Sequence, residues 1–246
     1  MGSADHPPGA QALDLAAHDA ARWPHDAESL YVVQRDLALA TPEPWTAERP
    51  APRLGGCWVC FPRGLSGPGS AADPAWAAAV VLQERRLVDR VVTTGVTGAP
   101  YQPGLLALRL GPLLERVVRD LATPPDVLMV DATGRDHPRG AGFALHLGAV
   151  LDLPTLGVTH RPLLAEGGWP GDRRGATSGL HIGDRVVATW LRTQPAVRPL
   201  VVHAGWRLDP HQAVALVMAT TSHRRTPEPL RQARQLARRA RAADQT

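Results

Sequence analysis

Apolar positions along the chain fall into two patterns, and their succession outlines a fold. Between Pro125 and the turn Ala132-Thr133-Gly134 the chain reads Asp126-Val127-Leu128-Met129-Val130-Asp131, an apolar run that ends in a carboxylate. Such a run predicts a strand buried on both faces. Beyond it, Phe143, Leu147, Val150 and Leu151 recur at helical spacing across residues 140–152. Pro154 then closes that helix before a second apolar run, Thr155-Leu156-Gly157-Val158. Strand, helix and strand within about thirty residues make a parallel crossover. Asp131 is thereby expected at the carboxyl end of a central parallel strand, where open α/β sheets place their ligands.

Upstream, residues 1–10 read as a disordered tail. Alanine-rich segments over residues 13–39, punctuated by Trp23-Pro24, predict two helices, the second carrying Leu30, Val33 and Leu37 on one face. The proline-rich stretch 41–52 is a connecting arm without regular structure. Strands are expected over 54–61, 77–83 and 86–93, with turns at 62–70 and at Glu84-Arg85. A helix over 105–121 should kink or restart at Pro112. A glycine- and arginine-rich loop, 166–179, precedes a hairpin of residues 180–192, turned around Gly183-Asp184, and a further segment 198–206. An amphipathic helix over 210–220 and a basic helix over 224–242 complete the chain. This order describes one α/β domain over residues 11–242 with its core in 53–242. The sheet is a mixed five-stranded one with flanking helices, in an order that permits a ribonuclease-H-like architecture.

Composition changes this picture in three ways. The 27 basic residues are all arginine, so no lysine is available as an amine nucleophile or point-charge phosphate ligand. A net charge of +4 with a pI near 10 allows a polyanionic partner without demanding one. No apolar run approaches the length of a membrane span and no secretory segment opens the chain, so the expectation is a cytoplasmic protein without a membrane partner. Cys57 and Cys60, three apart on a strand, face opposite sides and are read as reduced structural cysteines rather than a disulfide or chelate.

Several stretches together resemble the endonuclease V family of deoxyinosine-directed nucleases. They are Trp23-Pro24, Val33-Gln34-Arg35, Val59-Cys60-Phe61-Pro62, Tyr101-Gln102-Pro103-Gly104-Leu105-Leu106 and Gly111-Pro112, then Pro125-Asp126, Val130-Asp131, His137-Pro138-Arg139 and His146-Leu147-Gly148. Leu153-Pro154-Thr155-Leu156-Gly157-Val158, Leu191-Arg192-Thr193 and Pro227-Glu228-Pro229 follow in the family's order, so the likeness covers roughly residues 20–240. The resemblance implies the ribonuclease-H-like fold and a Mg²⁺-dependent hydrolysis of phosphodiesters. Its metal would be held by an Asp on the first strand, a Glu in the helix after the Tyr-Pro turn and an Asp ending the central strand. Here those positions carry Trp58, Leu110 and Asp131. The family's lysine aligns with His160, and the histidine of its late Gly-His pair aligns with Trp206.

Magnitude decides what these replacements imply. Mg²⁺ can be held by one or two carboxylates together with substrate phosphates, so one lost ligand is survivable. Losing two of three removes most of the balancing charge, and a single preorganised electrostatic contact contributes ~3–4 kcal/mol to a transition state. The expectation is a pseudo-nuclease that keeps some recognition of a deaminated, inosine-type base in DNA or RNA, with Mg²⁺ weak or absent. Two alternatives stand beside it. One is an enzyme of changed chemistry that uses Asp131 with His160 and His137, with Zn or Fe as its candidate metal and Cys60 close by. The other is a still-active deoxyinosine endonuclease in DNA repair.

Recognition is the better-kept part. The family's wedge, which stabilises separated strands, is matched by Pro100-Tyr101-Gln102-Pro103, and a tyrosine on a proline-stiffened turn can stack on an exposed base. Tyr101, Pro103 and Gly104 of this turn, Gly134 of the Ala132-Thr133-Gly134 base pocket, and Arg139 are the expected nucleic-acid contacts, with Arg173-Arg174 as further phosphate ligands. His137 is read either as a group near the metal or as a turn histidine bonded to backbone. Arg231, Arg234 and Arg238 share a helical stripe, read first as a solvated basic end that the helix dipole favours.

Overall fold

The structure, a computed structural model, describes residues 22–245. In chain order it contains α1 (Ala27–Leu39), β1 (Leu54–Cys60), β2 (Pro74–Gln83), β3 (Arg86–Val96), α2 (Leu106–Arg119), β4 (Val127–Val130) and α3 (Phe143–Leu151). Then come β5 (Thr155–Thr159), β6 (Thr177–Ile182), β7 (Arg185–Leu191), β8 (Leu200–Ala204), α4 (Pro210–Thr220) and α5 (Glu228–Asp244). The expected tail and first helix fall outside the described residues. No helix among them is long and apolar enough to cross a membrane.

All strands join one sheet in the order β3-β2-β1-β4-β5-β8-β7-β6. β1 with β4 and β4 with β5 pair in parallel, and every other pair is antiparallel. The five strands from β3 to β5 are the ribonuclease-H-like core. The expectation of a five-stranded sheet is therefore corrected to eight. β8 adds to the edge that β5 would otherwise leave unpaired, and the hairpin β6–β7 continues outward from it.

Helices cover both faces of the core. Cys57, Leu128 and Val130 pack with Leu110, Leu114 and Val117 of α2 and with Phe143 and Leu147 of α3. On the other face, Val127, Met129 and Leu156 meet Ala213 and Val217 of α4 and Leu230 of α5. Covering on both sides explains why β2 is a continuous run of small and branched apolar residues, buried from Ala75 to Leu82, rather than an alternating strand. Gly56 seats the start of α5, because a Cβ there would lie 2.5 Å from the carbonyl carbon of Pro229.

Pro112 does not restart its helix, which runs unbroken from Leu106 to Arg119. Proline cannot donate to the Leu108 carbonyl four residues back; Gly98 packs against that carbonyl, and its N–H bonds the next one, of Arg109, at 3.1 Å. Next to Pro112, Gly111 takes the indole of Trp23 edge-on. Trp23 Nε1–H donates to the buried Glu115 at 2.5 Å, and its ring stacks on His146 with centroids 4.6 Å apart. An ideal Cβ at Gly111 would come within 2.1 Å of Trp23 Cε3. Overpacking of this kind costs about 1–3 kcal/mol. Gly111→Ala is expected to lower unfolding free energy by that amount in urea titrations, and by less when Trp23→Leu is present in the same chain.

Candidate functional site

Loops at the carboxyl ends of β1, β4 and β5, with the amino-terminal half of α2, enclose an open cleft of about 730 Å³. The β1–β4 register ends at Cys57 opposite Val130, so Trp58 and Asp131 stand abreast one residue further on. Leu110 of α2 lines the same cleft. The three positions to which the resemblance assigned metal ligands do meet, but as an indole, an isobutyl group and one carboxylate.

The Asp131 carboxylate is open to solvent at the base of the cleft. Surrounding protein nonetheless removes much of its hydration and pushes its pKa up to about 6, an effect that the Arg234 guanidinium partly offsets. Arg234 itself lies 5.3 Å over the Trp58 ring, and Arg238 and Arg241 line the cleft beside it. This donor set does not fit Mg²⁺. Among the described residues no three His, Cys, Asp or Glu side chains gather closely enough to hold a metal ion. The positive charge that acts on this carboxylate is the Arg234 guanidinium. The cysteines offer no alternative chemistry. Burial, with some help from Asp131, pushes the Cys57 thiol up to about 12, and burial also raises Cys60, whose Sγ contacts the Ala237 carbonyl at 3.2 Å.

The Tyr-Gln-Pro-Gly turn is tied at its start by the Tyr101 N–H, which donates to the Pro68 carbonyl at 2.7 Å, and at its end by the Gly104 carbonyl. Gly104, at φ +77°, turns its carbonyl toward three donors: Gln34 Nε2 at 3.1 Å, Arg139 Nη2 at 3.0 Å and His137 Nε2 at 3.1 Å. Arg139 also donates from Nε to Gln34 Oε1 at 2.5 Å and lies 4.1 Å over the Tyr31 ring. His137 Nδ1 accepts the Arg139 backbone N–H at 3.3 Å, so the ring is neutral with its proton on Nε2. Burial holds its pKa down to about 4, in keeping with that form. The result leaves Tyr101, 51% exposed, at the cleft mouth on a stiff support.

Several expected site residues lie elsewhere or serve otherwise. Arg139 is spent on the Gly104 clamp rather than left for phosphate. His137 is bonded to backbone rather than set beside a metal. Gly134 packs against β8, where a Cβ would lie 2.4 Å from the Ala204 carbonyl oxygen, so its smallness serves the sheet; Ala132 and Thr133 are the pocket-lining members of that turn. Pro103 contributes to the turn but not to the cleft lining. Arg174 bonds the carbonyls of Thr193 and Thr221.

His160 and Cys60 do not form a cluster with Asp131 and His137. His160 points along the outer rim and accepts a hydrogen bond on Nδ1 from Arg225 at 2.9 Å. Desolvation and the guanidinium groups of Arg225, Arg234 and Arg198 lower its pKa below the ordinary histidine value. Trp206 is at the amino end of β5, the far end of the sheet, where its carbonyl accepts from Thr155 and its indole reaches Asp152 at 3.4 Å. It does not plug the cleft.

Three contributors escaped sequence reasoning. Arg238 and Arg241 of α5 line the cleft and Arg234 lies over Trp58, whereas Arg231, the first member of the stripe, pairs with Glu228; the stripe was visible, but not the face it takes. Gln34 was visible only as part of a motif. Asp136 left no signal at all. Fully buried, it accepts the backbone N–H groups of Leu163, Leu164 and Ala165 at 2.7–2.9 Å and so fixes the wall formed by Arg161, Pro162 and Leu163.

Two outcomes follow from this geometry. Gln34→Ala or Arg139→Ala should speed amide exchange in residues 101–105 and lower stability by about 1–3 kcal/mol, since either leaves buried polar partners unmatched. For Asp131, a folded pKa of about 6 above an unfolded value near 3.9 means that the folded chain binds more protons between those values. Stability therefore falls as pH rises through that window and stays reduced above it. Asp131→Asn should melt at a higher temperature than the parent chain at about pH 8, with the gap closing toward about pH 4.

Residues 65–235 match the family model of endonuclease V. Over 171 residues the chain is 39% identical to the endonuclease V of Roseiflexus sp. (strain RS-1), covering 69% of this chain and 77% of that protein. The crystal structure of the Streptomyces avermitilis endonuclease V superposes with a TM-score of 0.79 at 35% identity, over 91% of this chain and 96% of the other. The Ciona intestinalis endonuclease V, solved in complex with a 24mer DNA containing an inosine followed by a ribo-adenosine, shares the fold at 22% identity. Its TM-score is 0.71, over 87% of this chain and 96% of that one. With the matched span, the level of identity and the superposed architecture in agreement, this chain belongs to the endonuclease V family.

Proposed function

We propose that this chain binds nucleic acid in the cleft between β1, β4 and α2, accepts a deaminated, inosine-type base there, and does not hydrolyse the strand. One observation carries the reading. The cleft keeps its shape and its wedge turn, but only Asp131 of the three carboxylate positions is a carboxylate, and Arg234 supplies positive charge beside it. A phosphodiester is attracted to such a site by guanidinium groups. Nothing in it positions a water for attack.

The parts that would recognise nucleic acid are in place. Tyr101 is exposed on a clamped turn at the mouth, and Arg161, Arg238 and Arg241 line the walls. The complex of the Ciona intestinalis protein with inosine-containing DNA supplies the class of ligand for this fold. The rival based on acid–base chemistry has less support: His160 is bonded to Arg225 outside the cleft lining, and His137, which lines the cleft with Asp131, is bonded to the Gly104 carbonyl.

Purified full-length chain, mixed with inosine-containing DNA and RNA in Mg²⁺, in Mn²⁺ or in EDTA, should bind equally in all three and yield no cut product. Affinity should fall with salt, as counterion release requires. It should rise as pH is lowered from about 7 to about 5, since protonation of Asp131 removes the one negative charge at the base of the cleft. Metal-dependent turnover that Asp131→Ala abolishes would refute the proposal.

A further inference from the structure

Sheet topology gathers a second group of side chains at the end of the sheet that carries Asp131. β5 runs parallel to β4, and β8 pairs with it through Thr159 and Val201, so residues just before β8 return to that end. β7 pairs with β8 through Leu191 and Leu200, and β6 with β7 through Thr177 and Leu191, which brings Arg192 and the loop before β6 to the same rim. From the cleft outward the groups follow one another, linked by hydrogen bonds, ring contacts and charge. Arg234 lies on Trp58, and its charge acts on both Asp131 and His160. His160 accepts from Arg225, and Arg225 donates to the carbonyls of Arg198 at 2.6 Å and Pro199 at 2.9 Å. Arg198 then places its guanidinium 5.8 Å from the centroid of Trp169.

Trp169 is 57% exposed, a large indole left open on a soluble surface. Its seat is nevertheless built. Beneath it, buried Arg192 bonds the carbonyls of Val197 and Pro170, pairs with Asp172 at 3.4 Å, and lies 5.9 Å from the ring centroid. Trp190 meets the ring edge-on at 6.4 Å. A fixed aromatic face beside an exposed guanidinium matches what single-stranded nucleic acid uses for sequence-tolerant contact, a stacked base with its phosphate held by a cation.

From this arrangement we infer that Trp169 is a base-stacking platform at the end of a guanidinium track, Arg234, Arg225 and Arg198, that leads a single-stranded segment out of the cleft. The inference rests on the nucleic-acid reading above and adds a second contact site to it. Arg225 is a positioning residue, because its donors are committed to His160 and to the turn before β8, whereas Arg198 and Trp169 would touch the strand.

The test uses fluorescence anisotropy with inosine-containing single strands of about four nucleotides, enough for the cleft, and about twelve, enough for cleft and rim. The longer strand should bind more tightly to the parent chain. Trp169→Ala should weaken the longer strand about tenfold and leave the shorter one unchanged, and Trp169→Phe should restore most of the loss. Arg198→Ala should reduce the salt slope for the longer strand by about 0.7, the contribution of one phosphate contact. Unchanged affinity of Trp169→Ala for the longer strand, in a variant that still binds the shorter one, would overturn the platform. Failure of the parent chain to bind either strand would instead overturn the nucleic-acid reading, and the platform with it.

Discussion

Two parallel strands in register place their next residues side by side, and the pairing of β1 with β4 ends at Cys57 opposite Val130. That constraint makes Trp58 and Asp131 neighbours whatever their chemistry. A carboxylate in place of the indole would set two negative charges abreast, an arrangement that calls for a cation between them. With an indole there, the face of the ring is free to carry a guanidinium, and Arg234 of α5 occupies it. The same α5 is held against β1 by Gly56. Strand pairing, the helix seat and the charge balance of the cleft are thus one linked arrangement.

The wedge turn depends on a different economy. Three segments distant in sequence, the middle of α1, the turn before α2 and the loop after β4, converge on the Gly104 carbonyl. Charge-assisted hydrogen bonds of this kind contribute about 1.5–3 kcal/mol each, more than a solvated arginine would gain from a loose phosphate contact. It follows that Arg139 serves the turn. The turn in turn presents Tyr101 with little freedom left to lose on stacking.

What could be read from the sequence was local or carried by motifs. The crossover around Asp131 followed from one apolar run, one helical spacing and Pro154, and the helix over residues 210–220 has the expected bounds. Motif order placed Trp58, Leu110 and Asp131 at equivalent positions, and all three line one cleft. What could not be read depended on tertiary neighbours. The sheet grew from five strands to eight because strand counting does not reveal which edge a late hairpin joins. Pro112 lies in an unbroken helix, with Gly98 packed against the Leu108 carbonyl that the proline leaves free, a neighbour that the sequence does not show. Trp206, aligned with a family histidine, lies at the opposite end of the sheet because β8 runs antiparallel to β5, which linear spacing does not show. The stripe of arginines on α5 was legible as a stripe, but not that Arg234 would lie on Trp58 and Arg238 in the cleft while Arg231 pairs with Glu228.

The central position of β1 has a consequence for any shortened form of this protein. The span matched by the family model, residues 65–235, begins after β1 and stops within α5. A chain cut to that span would lose the middle plank of the sheet, leaving the bare edges of β2 and β4 facing a gap where Leu54 to Cys60 had hydrogen-bonded to both. Open strand edges of that kind recruit other chains. Such a fragment would report on aggregation rather than on recognition, and the unit of function has to include β1, which precedes residue 65.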